Sequence, residues 1–203
     1  MLRGVLFQAL FFLSLLSIKG QRIDKLANIP SKIENKKEIR IYCDKGITNS
    51  GEIFRVYQNQ DKIWKAELIQ WFLPQNISND EFVLTPPKVI QLESLTPIDK
   101  LFLNLEALNI GYLPKEEVFD YKKATRKVVY DKDEKENVIE TKTKSVLDGR
   151  SFSVHYRSGE KENEFHYSNP SGYLKEYPDI NEYESFIKIL KYIENNFNIK
   201  LDQ

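Results

Sequence analysis

The chain has 203 residues, 41% of them hydrophobic and 30% charged, and its 30 Lys+Arg are balanced by 30 Asp+Glu. A net charge of zero removes the whole-domain electrostatic basis for binding nucleic acid or an anionic membrane. A single cysteine excludes an internal disulfide and a multi-cysteine zinc site, and with only two histidines any histidine chemistry must use one of them.

Arg3 precedes an apolar run of 14 residues from Val5 to Ile18. Spanning a bilayer as a helix takes roughly 20 apolar residues, so the run is short for a span and suits the h-region of an export signal. Residues 1–21 therefore read as a signal peptide cut between Ser17 and Arg22, with an uncleaved amino-terminal anchor as the alternative. The expected destination is exported, either periplasmic or secreted. Cleavage removes Arg3 and Lys19 and leaves 28 basic against 30 acidic side chains, a net charge of −2. No cysteine follows the run closely, so lipid attachment has no support. What remains is one domain's worth of chain, long enough to bury a core.

Residues 22–38 are polar and lysine-bearing, contain Pro30, and read as a tether or first loop before a single domain over 39–203. A meander follows. Ile39 to Asp44 alternates as a strand and points Cys43 into the core with Ile39 and Ile41. The Gly46 to Gly51 segment is rich in turn residues. Ile53 to Gln58 is a second strand, Asn59 to Asp61 a turn, and Ile63 to Phe72 a third strand with Trp64, Ala66 and Leu68 on one face. Pro74 to Asp80 reads as a loop carrying the sequon Asn76-Ile77-Ser78. Pro86 and Pro87 make Lys88 to Glu93 an edge strand at best.

Thr96 as N-cap, Pro97 and Asp99 open a helix whose stripe is Ile98, Leu101, Phe102, Leu105 and Leu108, with Gly111 as a left-handed cap. Pro114, Glu116 and Glu117 suggest another helical turn. Thr125 to Tyr130 and Val138 to Val146 are strands flanking the charged turn Asp131 to Asn137. Asp148-Gly149 is a hairpin signal. Ser151 to Arg157 and Glu162 to Tyr167 flank a turn at Ser158-Gly159. A last helix runs from about Ile180 to Phe197, with Asp179 and Glu182 as a capping-box pair and Tyr183, Phe186, Ile187, Leu190, Ile193 and Phe197 as its buried stripe. The fold class is α+β: an antiparallel sheet of about seven strands in hairpins and meander, packed by two main helices.

Four stretches, Asn109 to Pro114, Asp148 to Phe152, Asn163 to Pro170 and Tyr173 to Pro178, resemble a group of small, functionally uncharacterised exported proteins of Bacteroidetes-type bacteria. The resemblance covers the carboxy-terminal half well and the meander more loosely. Its motifs are turn and packing signatures. It implies export and a single domain, and it carries no active site.

The spacing of the eight glycines makes neither a phosphate-cradling loop nor a dinucleotide turn. There is no Gly-x-Ser-x-Gly elbow and no His-Glu-x-x-His helix. His155 and His166 fall on adjacent expected strands. Pairing Arg157 with Glu162 sets Val154 against Phe165 and Phe152 against Tyr167. His155 then faces Glu164, and Ser153 faces His166. Opposed Cβ atoms lie roughly 4.5–5.5 Å apart, so His155, Glu164 and His166 could hold a metal, or Ser153 and His166 could attempt nucleophilic catalysis. A solvated sheet face is the plain alternative, and a one-residue slip would destroy the constellation.

Tyr167, Tyr173 and Tyr177 could stack on a ligand or anchor a protein partner; alternatively they pack against the last helix. The acidic set Glu160, Glu162, Glu164, Glu176, Asp179, Glu182 and Glu184 reads as a solvated face. The basic residues Lys122, Lys123, Arg126 and Lys127 are offset by Asp131, Asp133, Glu134 and Glu136. No catalytic residue and no cofactor is assigned. The expected function is that of a non-enzymatic binding or envelope-associated protein with an unknown protein or small ligand as partner, no nucleic acid, and no stable membrane span after cleavage. The alternative is a small metal-dependent or histidine-dependent hydrolase using His155, Glu164 and His166.

Overall fold

The computed structural model describes residues 23–44, 48–78, 81–146 and 149–202. The expected leader, Gly46 and the Asp148 half of the Asp148-Gly149 signal lie outside the described residues. In chain order the strands are β1 (Lys37–Asp44), β2 (Ser50–Gln58), β3 (Trp64–Phe72), β4 (Gln75–Ser78), β5 (Glu81–Val83) and β6 (Lys88–Gln91), then β7 (Ala124–Asp131), β8 (Glu136–Thr143), β9 (Ser151–Ser158) and β10 (Lys161–Ser168). The helices are α1 (Ile98–Ala107), α2 (Glu116–Phe119), α3 (Pro170–Glu176) and α4 (Asn181–Phe197). No helix among the described residues is long and apolar enough to cross a membrane.

Six strands form one antiparallel sheet in the order β10-β9-β1-β2-β3-β6. Strand alternation gives the sheet two different faces. One carries Ile39, Ile41 and Cys43 of β1, Phe54 and Val56 of β2, Phe152, Val154 and Tyr156 of β9, and Phe165 and Tyr167 of β10. It buries them against Leu101, Phe102 and Leu105 of α1 and the whole expected stripe of α4. This is an α+β architecture whose core lies between sheet and helices. Packing, with no disulfide, supplies its stability; Cys43 is buried within that core.

The other face is also covered. Residues 23–26 form one helical turn, and the chain then crosses the reverse of β1, β2 and β3. Ala27 packs there with Tyr42, Ile53, Ile69 and Trp71, and Ile23, Leu26 and Ile29 pack around them. The stretch read from sequence as a tether is thus a second layer over the sheet. Gly51 belongs to this face for a steric reason. A Cβ at Gly51 would sit 2.5 Å from a Trp71 ring carbon, closer than real Cβ contacts come.

The sheet has six strands where about seven were expected, because β7 and β8 form a separate two-stranded ribbon. The Asp148-Gly149 signal does not close a hairpin between β8 and β9, since β1 and β10 occupy both edges of β9. The expected loop at 74–80 contains β4, which makes a short hairpin with β5; it is too brief to show strand periodicity. The helix caps also differ. The α1 cap is Pro97 and the α4 cap is Ile180, each without a side-chain cap bond, so Thr96 and Asp179 do not cap. The left-handed residue after α1 is Asn109 (φ 66°), and Gly111 lies in a 3₁₀ turn at 110–112. Asparagine tolerates this conformation because its short side chain bonds locally.

Candidate functional site

The candidate site is built on the reverse face of the sheet. Pairing registers place one residue from each strand in a single transverse row: Glu164, His155, Arg40, Arg55, Glu67 and Gln91. Each of these positions alternates with a residue of the helix-facing core, so the row follows directly from period-two geometry. The adjacent row is His166, Ser153, Tyr42, Ile53, Ile69 and Val89, polar at one end and apolar toward the other. Glu38 lies two residues before Arg40 on β1 and therefore on the same face.

At the centre of this face Glu38, Arg40, Arg55 and Glu67 are buried and paired, while Glu164 at its edge is exposed. Arg40 and Glu38 have no exposed side-chain surface. Glu38 Oε1 accepts from Nε of both Arg40 and Arg55, at 2.7 Å from the latter. Arg55 Nη1 reaches Glu67 Oε1 at 2.9 Å, and Gln91 Nε2 donates to the other Glu67 oxygen at 3.3 Å. The covering segment is held by the same groups. Arg40 donates to the carbonyls of Pro30 and Lys32, Arg157 to that of Ile33, and Tyr42 Oη to Asp24 Oδ1 at 2.7 Å. Burial pushes the Glu38 carboxyl upward, but Arg55 and Arg40 outweigh it and hold it below the ordinary carboxylate range. Burial dominates at Asp24 and raises it, despite Tyr42 and Arg40.

Of the sequence-nominated residues, His155 and Glu164 come together, with Nε2 and Oε1 3.4 Å apart. The His155 ring also packs on Tyr42, 5.0 Å between centroids. Burial lowers the His155 proton affinity; Glu164 and Asp24 act in the opposite sense, and Arg40 adds to the lowering. His166 faces Ser153 as the register required, with Nδ1 2.9 Å from the serine hydroxyl. Its Nε2 meets the Ser168 hydroxyl at 3.3 Å. His166 thus touches a serine hydroxyl at each ring nitrogen, so a serine–imidazole contact is present. Among the described residues, no group of three or more His, Cys, Asp or Glu side chains is arranged to hold a metal ion.

The three tyrosines do not share one surface. Tyr167 is fully buried and donates to the Pro114 carbonyl at 2.9 Å. Tyr173 is half-buried and stacks between Tyr177 and Tyr183, 6.3 and 6.0 Å between centroids. The Tyr177 hydroxyl accepts from the Lys144 backbone N–H at 2.7 Å. All three thus brace α3 and the start of α4. Beside them, the Glu116 carboxylate collects Lys123 Nζ at 2.7 Å, the Ser168 N–H at 3.0 Å and the Tyr183 hydroxyl. Lys122 pairs with Glu182 and Lys127 with Glu140, so much of the basic run is consumed in ion pairs.

Two surface features remain. The β7–β8 ribbon has no buried residue. Val128 and Ile139 face each other across it, 70% and 69% exposed, with the exposed Tyr130 on the same side. A small open cavity of about 240 Å³ is lined by Glu106, Gly111, Tyr112, Tyr156, Ser158 and Lys161. Sequence reasoning missed both the ionic row and this cavity. Arg40 lying between two core isoleucines on one strand was the available signal for the row. No known family model, curated protein or solved structure matches the chain.

Proposed function

We propose that the protein is an exported, non-enzymatic domain that acts by binding another protein through the β7–β8 ribbon. The carrying observation is the opposed pair Val128 and Ile139, left open to solvent on a ribbon the body does not cover. A two-stranded hairpin alone in water is marginally stable at best, and an exposed apolar patch marks an interaction site. The Val128 side of the ribbon carries only Arg126 as a charge, whereas the opposite side bears the Lys127–Glu140 pair at 3.1 Å. Export is supported by Arg3, the apolar run from Val5 to Ile18 and its length. The binding reading is further supported by the candidate catalytic side chains, which are engaged in contacts that brace the sheet.

The test places a photo-crosslinking residue at Val128 and, separately, at Lys142 on the opposite side, in cells that produce the native protein. The expected result is one discrete adduct in the exported fraction from position 128 and none from 142, abolished by Ile139→Lys. Native protein should begin between residues 18 and 22. Adducts equally frequent from both sides, or native protein beginning at Met1 inside the cell, would overturn the proposal.

A further inference from the structure

The cavity between the end of α1 and the β9–β10 hairpin holds an unusual pair of charges. Glu106 and Lys161 line the same space of about 240 Å³ yet form no ion pair with each other. Opposite charges at so small an opening ordinarily close on one another, since their attraction grows as water is excluded. Here each is held away by an aromatic partner. Glu106 Oε1 accepts the Tyr156 hydroxyl at 2.8 Å. Lys161 Nζ lies over the face of the Tyr112 ring and 5.9 Å from the centroid of Tyr156. Among the described residues no carboxylate pairs with Lys161, so its ammonium is balanced only by ring faces.

The arrangement is sterically built. A Cβ at Gly111 would lie 2.6 Å from the Tyr156 ring and 3.2 Å from Lys161 Nζ, so only glycine leaves room for both. Burial and the bond to Glu106 push the Tyr156 hydroxyl up to about 12, so it stays a donor and keeps the carboxylate in place. Ser158 also lines the cavity. Gly111 and Tyr112 belong to the Asn109–Pro114 stretch that reads from sequence as a turn signature.

We infer that this cavity binds a small zwitterion of the α-amino-acid class, its carboxylate on Lys161 and its ammonium on Glu106. The two fixed charges supply both poles, and Tyr112 and Tyr156 supply apolar walls for the carbon skeleton. The volume lies below the range of drug-sized sites, which restricts the ligand to few atoms. The inference is independent of the ribbon and stands or falls without it.

The test is an NMR titration of isotope-labelled protein with free glycine, leucine and tyrosine at millimolar concentration. Each amino acid is paired with its amide, which lacks the carboxylate, and with its N-acetyl derivative, which lacks the ammonium. The expected result is saturable shifts at Gly111, Tyr112, Tyr156 and Ser158 with at least one free amino acid, and binding weaker by about tenfold or more with either blocked form. Lys161→Met and Glu106→Gln, which keep the packing and the Tyr156 bond, should each reduce binding by a similar factor. Absence of shifts, or equal binding of a blocked form, overturns the inference. The blocked-ligand arm uses unaltered protein and decides the matter even if a variant misfolds.

Discussion

Glu38 and Arg55 meet across the β1–β2 pair at 2.7 Å, deep beneath the covering segment, and this bond joins the two strands on the face away from the helices. The same carboxylate also takes Arg40, so one anion serves two buried cations. Removing one partner of such a set leaves uncompensated charge where water cannot reach.

Glu38→Ala is therefore expected to destabilise the fold by about 3–5 kcal/mol, the range for breaking a buried ion pair. Glu38→Gln, which removes the charge but leaves an acceptor oxygen for the two guanidinium groups, should cost less than Glu38→Ala. Urea unfolding of the two variants checks this, and an alanine variant no less stable than the glutamine one would refute it.

The His155 environment sets a pH dependence. An unfolded chain protonates histidine near about 6.5, and the folded ring, with its proton affinity lowered by burial, protonates below that. Between the two values the unfolded chain binds more protons, so stability rises with pH through this window and is lost as pH falls. Glu38, with its folded value lowered, acts in the same sense at more acidic pH, while Asp24, with its value raised, opposes it there. His155→Asn should flatten the part of the stability profile that lies below about pH 6.5 and above the carboxylate range. Urea midpoints measured across that range give the answer; an unaltered slope would show that His155 is not responsible.

Gly51→Ala should cost about 1–3 kcal/mol, because the new methyl overlaps the Trp71 ring and either the ring or β2 must shift. A lowered melting temperature accompanied by altered Trp fluorescence is the expected signature.

Val128→Ser with Ile139→Ser should change stability by no more than about 0.5 kcal/mol, since neither side chain is buried. A larger loss on thermal melting would mean that the ribbon supports the body.

The two strands and the turn of the β9–β10 hairpin were legible in the sequence. Alternating Phe152, Val154 and Tyr156 against Phe165 and Tyr167 suggested the register that pairs Arg157 with Glu162, and the structure has that register, with His155 opposite Glu164 and Ser153 opposite His166. The α4 stripe was equally readable from its helical period. The covering layer was not: Ile23, Leu26, Ala27 and Ile29 are too few and too interspersed with charged residues to mark an element, and their role depends on strands distant in sequence, as in the contact of Asp24 with Tyr42. The caps failed for a related reason: Thr96 and Asp179 have the right chemistry, but tertiary packing starts each helix elsewhere. The cavity draws on α1, a 3₁₀ turn and two strand ends, so no single stretch of chain shows it.

Cys43 is the only thiol in the chain and lies in the sheet's helix-facing core. No modifying reagent can reach it until β1 is uncovered. Its alkylation rate is therefore an intrinsic clock for global opening, readable by mass spectrometry without adding a probe. Under reducing or oxidising conditions alike, modification of this thiol should proceed no faster than the molecule opens.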